Sequence, residues 1–366
     1  MKILIGGSPC TYWSIAKTKN RETGASGIGW ELFLNYRIAR DKYQPDYFLY
    51  ENNKSMSPAI RAQITAELGV EPVLINSALV SAQNRQRFYW VGKREPDGTY
   101  SQVAVKQPED RGILLRDILE SCDGTAGIKP LTEREMDYMV RETKDGRNHF
   151  VAFPYFHDST RRKSACVTAN THKGVPYNVL VEPVRIRTII PDGKGRFVIK
   201  AAGEKKIPVY EVRDGRITVK GKTYLVKLAD GFYIIRKLTV PECKRLQTVP
   251  DTYAFPVSDT QAYKMLGNGW TVDVIAHIMR HFTGLTEEPV EVLSMYDGMS
   301  CGHIALDKLG AEIIAYYATE IDKYAVQTTQ HNYPDTIQLG DAFRVRAENW
   351  HLPEPAEERI NENDRK

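Results

Sequence analysis

One residue of this sequence that could act as a nucleophile is a cysteine that follows a proline. Pro9-Cys10 comes shortly after Lys2 to Ile5, an apolar run that predicts a buried strand ended by two glycines. Open α/β sheets bind ligands at the carboxyl ends of their strands, and the proline would hold the thiol in a stiff turn. Cys10 is therefore either a nucleophile whose pKa is lowered by nearby arginines or an inert buried thiol.

Carboxylate and guanidinium groups follow on the next predicted strands. Asp46 to Tyr50 predicts a second buried strand, which ends on Glu51. Glu51 would face the same pocket as Cys10, or it would serve as the N-terminal carboxylate of the next helix. Arg85 and Arg87 occupy alternate positions, which lie on one face of a strand. Such a pair suits recognition of an anion or a carbonyl, and the alternative is a solvated edge strand.

A glycine-containing loop near the end of the sequence has the spacing of an adenosine site. The loop from Gly298 to Gly302 follows a predicted strand, Val290 to Met295, and Glu320 ends the next strand about twenty residues later. Glycines allow a ligand close to the backbone, and a carboxylate binds ribose hydroxyls. The loop lacks the third glycine of the dinucleotide fingerprint, which favours a smaller adenosine compound. An ordinary strand-to-helix turn with a capping glutamate is the alternative.

The elements that must position these residues form two α/β stretches. Strands near 73–76 and 88–92 and helices at 28–39 and 57–68 complete the first stretch, and this alternation predicts a doubly wound parallel sheet. A helix pattern returns from Tyr263 to Phe282. Further strands at 290–295 and 313–318, and one that ends on Gly340-Asp341, then resume the sheet. The sheet is therefore interrupted in sequence.

Between these stretches the pattern changes to short β strands joined by Asp-Gly and Gly-Lys turns. Residues 184–237 hold fourteen lysines and arginines against five acidic residues, an excess of nine positive charges in a chain whose net charge is only +4. This concentration of charge indicates either a nucleic-acid face or a solvated set of hairpins.

Composition excludes several other classes of protein. The 366 residues are 42% hydrophobic and 26% charged, which is typical of a globular chain with two domains. No run approaches the roughly 18 apolar residues of a spanning helix, so no membrane partner is predicted. Five cysteines without a C-x-x-C pair indicate free thiols in a reducing compartment and no metal site. A cytoplasmic location is expected.

Taken together, these motifs resemble those of the DNA (cytosine-5) methyltransferases. The resemblance covers most of the chain except about residues 95–235. The matching segments are the Pro-Cys loop at Gly6 to Cys10, Glu51-Asn52, Gln83 to Arg87, Arg236 to Thr239 with Glu242, Arg245, Leu246, Gln247, Pro250 and Asp251, Gly267-Asn268 at the head of a helix, Tyr296-Asp297-Gly298, Glu320 and Gly340-Asp341.

The order of the motifs differs from the usual order in the family. The cofactor motifs come last here, which resembles a circular permutation, and the linker Thr283 to Pro289 would join elements that are neighbours in space. Thr11, Asn53 and Gly269-Trp270 depart from the usual family residues. Among subgroups, the chain is most similar to phage and bacterial members and to the animal de novo enzymes.

The resemblance implies an S-adenosylmethionine-dependent methyltransferase fold, Rossmann-like and circularly permuted, with a doubly wound mixed sheet and a smaller β-rich target-recognition domain. It implies a covalent Cys10 adduct at cytosine carbon 6, Glu51 at the N3 side of the ring, Arg87 at the base carbonyl and Arg85 in support of the thiolate. S-adenosylmethionine, converted to S-adenosylhomocysteine, is the implied cofactor. The residues expected to bind it are Pro9, Asn268, Tyr296, Asp297, Gly298, Met299, Ser300, Gly302, Glu320, Ile321 and Asp341.

Double-stranded DNA is the expected partner, contacted by Arg185, Arg187, Lys194 and Arg196 after the target cytosine is flipped out. The predicted organisation is a catalytic domain at 1–94 and 236–345, a target-recognition domain at 95–235 and a disordered tail at 346–366. An inactive DNA-binding regulator and an RNA cytosine-5 methyltransferase are the alternatives. The chain is expected to be monomeric. Neither the recognition sequence nor a restriction-enzyme partner follows from the sequence.

Overall fold

Two β-sheets and a set of helices make up the part of the chain that the computed structural model describes. The described residues are 1–354 without 16, 18, 121–127, 153–155, 159–162, 174, 176–177, 185–188, 193–196 and 201–205. The first sheet begins with β1 (Lys2–Gly6), β2 (Tyr47–Asn53), β3 (Pro72–Asn76), β4 (Gln86–Arg94) and β5 (Tyr100–Gln102). The second sheet contains β6 (Lys129–Pro130), β7 (Phe156–Asp158), β8 (Val179–Pro183), β9 (Ile190–Pro191), β10 (Phe197–Lys200), β11 (Lys206–Arg213), β12 (Arg216–Val219), β13 (Lys222–Leu225) and β14 (Gly231–Lys237). The first sheet is completed by β15 (Val290–Met295), β16 (Ile313–Thr319) and β17 (Ile337–Gly340).

The helices lie mainly beside the first sheet. They are α1 (Ile28–Tyr43), α2 (Pro58–Leu68), α3 (Glu133–Val140), α4 (His149–Ala152), α5 (Val240–Leu246), α6 (Asp259–Asn268), α7 (Val272–Met279), α8 (Cys301–Leu309) and α9 (Lys323–Asn332). Local capping explains where several of them begin. The Ser57 side chain, for example, accepts a hydrogen bond from the Ile60 N–H at 3.2 Å, and Pro58 fixes the first turn of α2.

The first sheet joins the beginning and the end of the chain. Its order is β17-β16-β15-β1-β2-β4-β3, with β5 beside β4. β1 pairs in parallel with β15 on one side and with β2 on the other, whereas β4 is antiparallel to both β2 and β3. The sheet is therefore mixed and closes in space, as expected for a permuted methyltransferase fold, and the all-parallel sheet suggested by the first ninety residues is corrected by β4.

Both faces of the first sheet are covered, which explains the unbroken apolar runs of its strands. On β1, Ile3 and Ile5 belong to a buried cluster with Ile275 of α7 and Ile304 of α8. Leu4, between them, belongs to the opposite cluster, which includes residues of α1 and α2. Side chains of a strand alternate between faces, so β1 serves as the centre of two cores.

The helix predicted over 263–282 is two helices. α6 ends at Asn268, where Gly269 takes an extended conformation (φ −67°, ψ 171°), and α7 begins at Val272. The apolar spacing continues across the break because both helices contribute to the same buried cluster. Periodicity alone therefore could not reveal the interruption, which presents Trp270 outside a helix.

The second sheet contains the predicted hairpins. β11 and β12 are joined by Asp214-Gly215, and β12 and β13 by Lys220-Gly221, with positive φ at all four residues. Two consecutive residues with positive φ form the turn that matches the twist of a two-residue hairpin. These turns confirm the prediction of short strands in this basic stretch.

A buried ionic network connects the second sheet to the helix that follows it. Arg236 of β14 donates two hydrogen bonds to Glu182 of β8, both 3.0 Å, and two to Glu242 of α5, both 2.8 Å. The side chains of Arg236 and Glu242 are 1% and 0% exposed. Burial acts to lower the pKa of Arg236, but the two carboxylates outweigh it and raise the pKa. Glu242 also caps α5, accepting a hydrogen bond from the Thr239 N–H at 2.7 Å.

Two segments pack on the first sheet although the sequence suggested otherwise. β5 pairs with β4, and Leu115 and Ile118 join the cluster around α7 and α8. The chain therefore stays packed on the first sheet beyond residue 94, the predicted end of its first segment. Residues 346–354 fell within the predicted tail, but Trp350 packs against the other cluster and the Tyr317 hydroxyl donates to the Pro353 carbonyl. The remaining tail, 355–366, lies outside the described residues.

Candidate active site

The loop that carries Cys10 is held in place by the neighbouring strand. β1 ends at Gly6, and Cys10 begins a 3-10 turn. The Cys10 carbonyl accepts hydrogen bonds from the Trp13 and Ser14 N–H groups. Ser8 is fixed by two residues of β2, because its hydroxyl lies 2.6 Å from the Tyr50 hydroxyl and its carbonyl accepts from Asn52 at 3.2 Å. The thiol is thus presented by a braced loop at the carboxyl edge of the sheet.

Glu51 and Arg87 meet at this edge, on antiparallel neighbours β2 and β4. The Arg87 Nε lies 2.9 Å from Glu51 Oε1. A third residue, Trp270, donates its indole N–H to Glu51 Oε2 at 3.0 Å. The Glu51 residue is 9% exposed, so the carboxylate is nearly buried and both of its oxygens have a partner.

The charges of Glu51 and Arg87 also act on Cys10. Burial raises the pKa of the Cys10 thiol, Arg87 opposes this increase, Glu51 adds to it and Arg85 opposes it. Cys10, Glu51 and Arg87, which the sequence analysis assigned to one site, therefore lie within electrostatic range of one another. Ionising the thiol at neutral pH depends on the arginines overcoming burial.

Arg85 contacts mainly backbone. Its guanidinium donates to the carbonyls of Val167 at 2.9 Å, Gly269 at 2.7 Å and Gly267 at 3.3 and 3.4 Å. Arg85 is 3% exposed. It therefore links the backbone around Val167 to the loop between α6 and α7. This structural role is additional to the electrostatic effect that Arg85 has on Cys10.

Cys166 is a second thiol at this site that the sequence analysis did not single out. Its Sγ lies 3.2 Å from Arg85 Nη1 and 3.9 Å from Arg87 Nη2. Burial acts to raise the pKa of Cys166, but the two guanidiniums outweigh it and lower the pKa. No local pattern distinguishes Cys166, which lies in an irregular stretch about eighty residues from its partners in sequence.

The predicted adenosine loop lies at the next position along the edge. Glu320, after β16, accepts from the Gly298 N–H on Oε2 and from the Ile321 and Asp322 N–H groups on Oε1, each at 2.8 Å. Gly298 has φ +61°, and a Cβ there would meet nothing within 4 Å, so space is open above it. Ile321 is 77% exposed beside this carboxylate.

Several other residues that were predicted to bind the cofactor stabilise the 297–302 loop and its packing. Asp297 accepts from Ser294 at 2.7 Å, from Tyr316 at 2.8 Å and from Ser300, and burial raises its pKa while these hydrogen bonds oppose the increase. Met299 and Ser300 are 1% and 0% exposed. A Cβ on Gly302 would come within 2.1 Å of the Ile5 side chain, so this glycine allows α8 to pack on β1.

The remaining predicted residues are spread around this edge. The Tyr296 hydroxyl donates to the Leu32 carbonyl at 2.6 Å, and Asp341 caps the 3-10 helix Ala342–Arg346 by accepting from Phe343 at 2.9 Å. Pro9 and Asn268 are exposed. The four predicted DNA contacts lie outside the described residues: Arg185, Arg187, Lys194 and Arg196.

The two halves of the site flank the switch point of the sheet. β15 leads through α8 to β16 on one side, and β1 leads through α1 to β2 on the other. Ligands of open α/β sheets bind in the crevice between such strands. The arrangement can therefore bring an adenosine compound near a thiol, a carboxylate and a guanidinium. The described residues include no group of His, Cys, Asp and Glu that could hold a metal ion. Within the same residues, no helix combines the length and the apolarity needed to cross a membrane.

The chain is similar to several known proteins. A family model described as C-5 cytosine-specific DNA methylase matches residues 1–283. The type II methyltransferase M.NlaX of Neisseria lactamica is 54% identical over 289 residues, covering 75% of this chain and 74% of the relative. M.HpaII of Haemophilus parainfluenzae, also a type II methyltransferase, is 27% identical over 285 residues, covering 75% of this chain and 69% of the relative. The solved structure of the Entamoeba histolytica methyltransferase EhMeth covers 76% of both chains with 16% identity and a TM-score of 0.45.

Proposed function

The chain belongs to the C-5 cytosine-specific DNA methylase family and is a DNA cytosine-5 methyltransferase, and we propose that it acts on a cytosine flipped out of duplex DNA through a covalent bond to Cys10. The observation that carries this proposal is the ion pair between Glu51 and Arg87, at the same edge of the sheet as the Cys10 loop. A nucleophile, a carboxylate and a guanidinium are the groups that addition to a cytosine ring requires.

In the proposed reaction, the Cys10 thiol loses its proton to water and the thiolate adds to carbon 6 of the ring. Glu51, which takes up a proton from solvent as the base enters, holds the N3 side and gives that proton to N3. The thiolate displaces the electron pair of the ring's C5–C6 double bond, and this pair makes carbon 5 nucleophilic. After methylation, N3 returns its proton to Glu51 and carbon 5 loses its proton to solvent. The electron pair of that C–H bond restores the C5–C6 double bond, the bond from Sγ to carbon 6 breaks, and the thiolate is restored. Arg87 binds the base carbonyl and, together with Arg85, favours the thiolate.

The methyl donor that suits the second half of the site is S-adenosylmethionine, which supplies an electrophilic methyl group on a sulfonium. The fit rests on Glu320, whose Oε2 accepts, among the described residues, only the Gly298 N–H and keeps a lone pair for a ribose hydroxyl, while Oε1 accepts two backbone N–H groups that hold the carboxylate in place. The open space above Gly298 and the exposed Ile321 side chain suit an adenine ring. Asn268, Tyr296 and the backbone of the 297–302 loop are proposed to complete the site.

We propose that the second sheet, within residues 95–235, recognises the DNA sequence. Its excess of basic residues supports phosphate contacts, which position a protein on DNA and make binding depend on salt. Arg185, Arg187, Lys194 and Arg196 remain the proposed contacts in this part of the chain. Flipping a base costs a few kcal/mol, which such contacts would offset.

The test is transfer of labelled methyl groups from S-adenosylmethionine to mixed-sequence duplex DNA, with product positions read by bisulfite sequencing. Wild type should label carbon 5 of cytosine in a defined context, and Cys10→Ser should give no label. Cys243→Ala, which removes a fully buried thiol on α5, is the matched control and should stay active. A duplex containing 5-fluorocytosine should form a denaturation-resistant complex with wild type and with Cys243→Ala, but not with Cys10→Ser.

Three outcomes would overturn the proposal in whole or in part. Binding of DNA with no methylation of any duplex would identify a regulatory DNA-binding protein. Labelling of cytosines in RNA but not in DNA would change the substrate. Full activity of Cys10→Ser would leave the DNA substrate in place but refute the covalent mechanism.

A further inference from the structure

The Glu51 carboxylate is held by two donors that come from different parts of the chain. Arg87 Nε, on the adjacent strand β4, lies 2.9 Å from Oε1. Trp270 Nε1, from the break between α6 and α7, lies 3.0 Å from Oε2. One donor on each oxygen fixes both the position of the carboxylate and the rotation of its plane, which a single partner would leave free.

The position of Trp270 is itself determined by buried contacts. The preceding carbonyl, that of Gly269, accepts from Arg85 at 2.7 Å and from Gln247 at 3.2 Å. The Gly269 N–H donates to Met265 at 2.7 Å, which closes the end of α6. The backbone that carries the indole is therefore anchored from three directions, and Trp270 approaches Glu51 from a rigid support.

Space for this pair depends on the loop that carries the nucleophile. A Cβ on Gly7 would lie 2.9 Å from Glu51 Oε2 and 3.4 Å from Trp270 Nε1. A side chain at position 7 would therefore push into the hydrogen bond between them. The glycine of the Cys10 loop, the carboxylate and the indole are packed as one unit.

We propose that Trp270 is a positioning residue, whose indole N–H holds the Glu51 carboxylate in the orientation that the cytosine ring meets. This inference rests on the proposed function of Glu51. The lone pairs not used by Arg87 and Trp270 are then the ones directed at the base, and no reorientation is needed when it enters. The tryptophan at this position, which departs from the usual family residue, thus has a specific task.

The contact can be tested without turnover. The chain has five tryptophans, so the indole ¹⁵N–¹H spectrum should contain five side-chain signals. The signal that disappears in Trp270→Phe should move in Glu51→Gln, while the signal that disappears in Trp90→Phe should stay in place. Trp90 is the matched control because its indole N–H is also hydrogen-bonded, at 2.9 Å to Thr65, and its side chain packs in the cluster on the opposite face of the sheet. An unmoved Trp270 signal in Glu51→Gln would refute the inference.

The effect on the reaction follows from the strength of the lost bond. Trp270→Phe keeps an aromatic ring and removes one hydrogen bond to a charged group, so kcat should fall roughly 10- to 100-fold with little change in KM for DNA. Trp90→Phe should leave kcat near that of wild type. In a Glu51→Gln background, the further loss caused by Trp270→Phe should shrink to below about threefold, because the two residues act together.

These outcomes separate the two proposals. An equal loss from Trp270→Phe in both backgrounds would mean that the tryptophan has only a structural role. A parallel rise in KM and fall in kcat would also overturn the inference. If wild type itself does not methylate DNA, the proposed function fails, whereas the spectroscopic result still decides whether Trp270 holds Glu51.

Discussion

Replacing Arg236 with methionine removes the cation at the centre of the network that connects β14, β8 and α5. Methionine keeps an unbranched side chain that can replace the aliphatic part of arginine, and it loses all four hydrogen bonds to Glu182 and Glu242. Two carboxylates then remain in a site where the arginine itself was 1% exposed. The substitution therefore removes the charge without a large change in side-chain volume.

The magnitude follows from burial. Removing one partner of a buried ion pair costs about 3–5 kcal/mol, because the other charge is left without compensation. Here one guanidinium serves two carboxylates, so the upper part of that range is expected. The free energy of unfolding of a protein is about 5–15 kcal/mol, so the substitution removes a large share of it.

The assay is thermal unfolding, because the size of the shift in Tm also reveals how much of the chain unfolds together. Unfolding entropy is about 2.1 cal/mol/K per residue, so a loss of about 3–5 kcal/mol lowers Tm by roughly 4–7 °C if all 366 residues unfold as one unit. If residues 129–237 unfold by themselves, the same loss lowers their Tm by about 13–22 °C. Calorimetry distinguishes the two cases.

Arg213→Met is the matched control, since Arg213 pairs with Glu211 at 2.9 Å on the surface of the same sheet and is 77% exposed. An exposed pair contributes about 0–1 kcal/mol, so its Tm should stay close to that of wild type. Adding Glu182→Gln and Glu242→Gln to Arg236→Met should recover part of the loss, because neutral amides need no counter-charge. A Tm of Arg236→Met equal to that of the control would refute this account of the network.

Three further predictions concern the site. Glu320→Gln should weaken S-adenosylmethionine binding by about tenfold or more, because a charged hydrogen bond to the ligand contributes about 1.5–3 kcal/mol. Calorimetric titration measures this affinity, and an unchanged value would exclude Glu320 from the cofactor site. Iodoacetamide should alkylate Cys166 at lower pH than Cys10, because the guanidiniums lower the pKa of Cys166 while burial raises the pKa of Cys10. Peptide mass spectrometry of samples alkylated at different pH values measures both reactions, and alkylation of Cys10 at the lower pH would refute the prediction. Gly267→Ala would place a methyl group 2.0 Å from the Thr168 backbone, so it should cost about 1–3 kcal/mol or more in denaturant unfolding, and an unchanged midpoint would show that the segment yields freely.

Much of the fold could be predicted from the sequence because its signals are local. Apolar runs that end in glycines, prolines or acidic residues correctly indicated β1, β2 and β15, and Asp-Gly correctly indicated the turn after β11. The position of Glu51 at the same edge of the sheet as the Cys10 loop followed from the parallel order of β1 and β2. Each of these inferences needs only neighbouring residues and the general rule for parallel strands.

The rest of the site depends on contacts between distant segments. Trp270 reaches Glu51 across 219 residues, and Cys166 reaches Arg85 across 81. No periodic pattern encodes such approaches, since they are decided by how α6 ends and by where an irregular segment crosses the sheet. The break at Gly269 was hidden for the same reason, because both helices bury the same apolar face.

The connection between α7 and β15 has a consequence for how the enzyme can be divided. Residues 286–289 are exposed, whereas β15, which they lead into, is hydrogen-bonded to β1 on one side and to β16 on the other. The covalent link and the sheet are thus independent means of holding the two halves together. A cut in this linker would separate a fragment with the nucleophile from a fragment with the Glu320 carboxylate, and each fragment would offer the other an edge strand to rebuild the sheet. The molecule is thus suited to be made as two inactive pieces whose reassociation restores the crevice between β15 and β1.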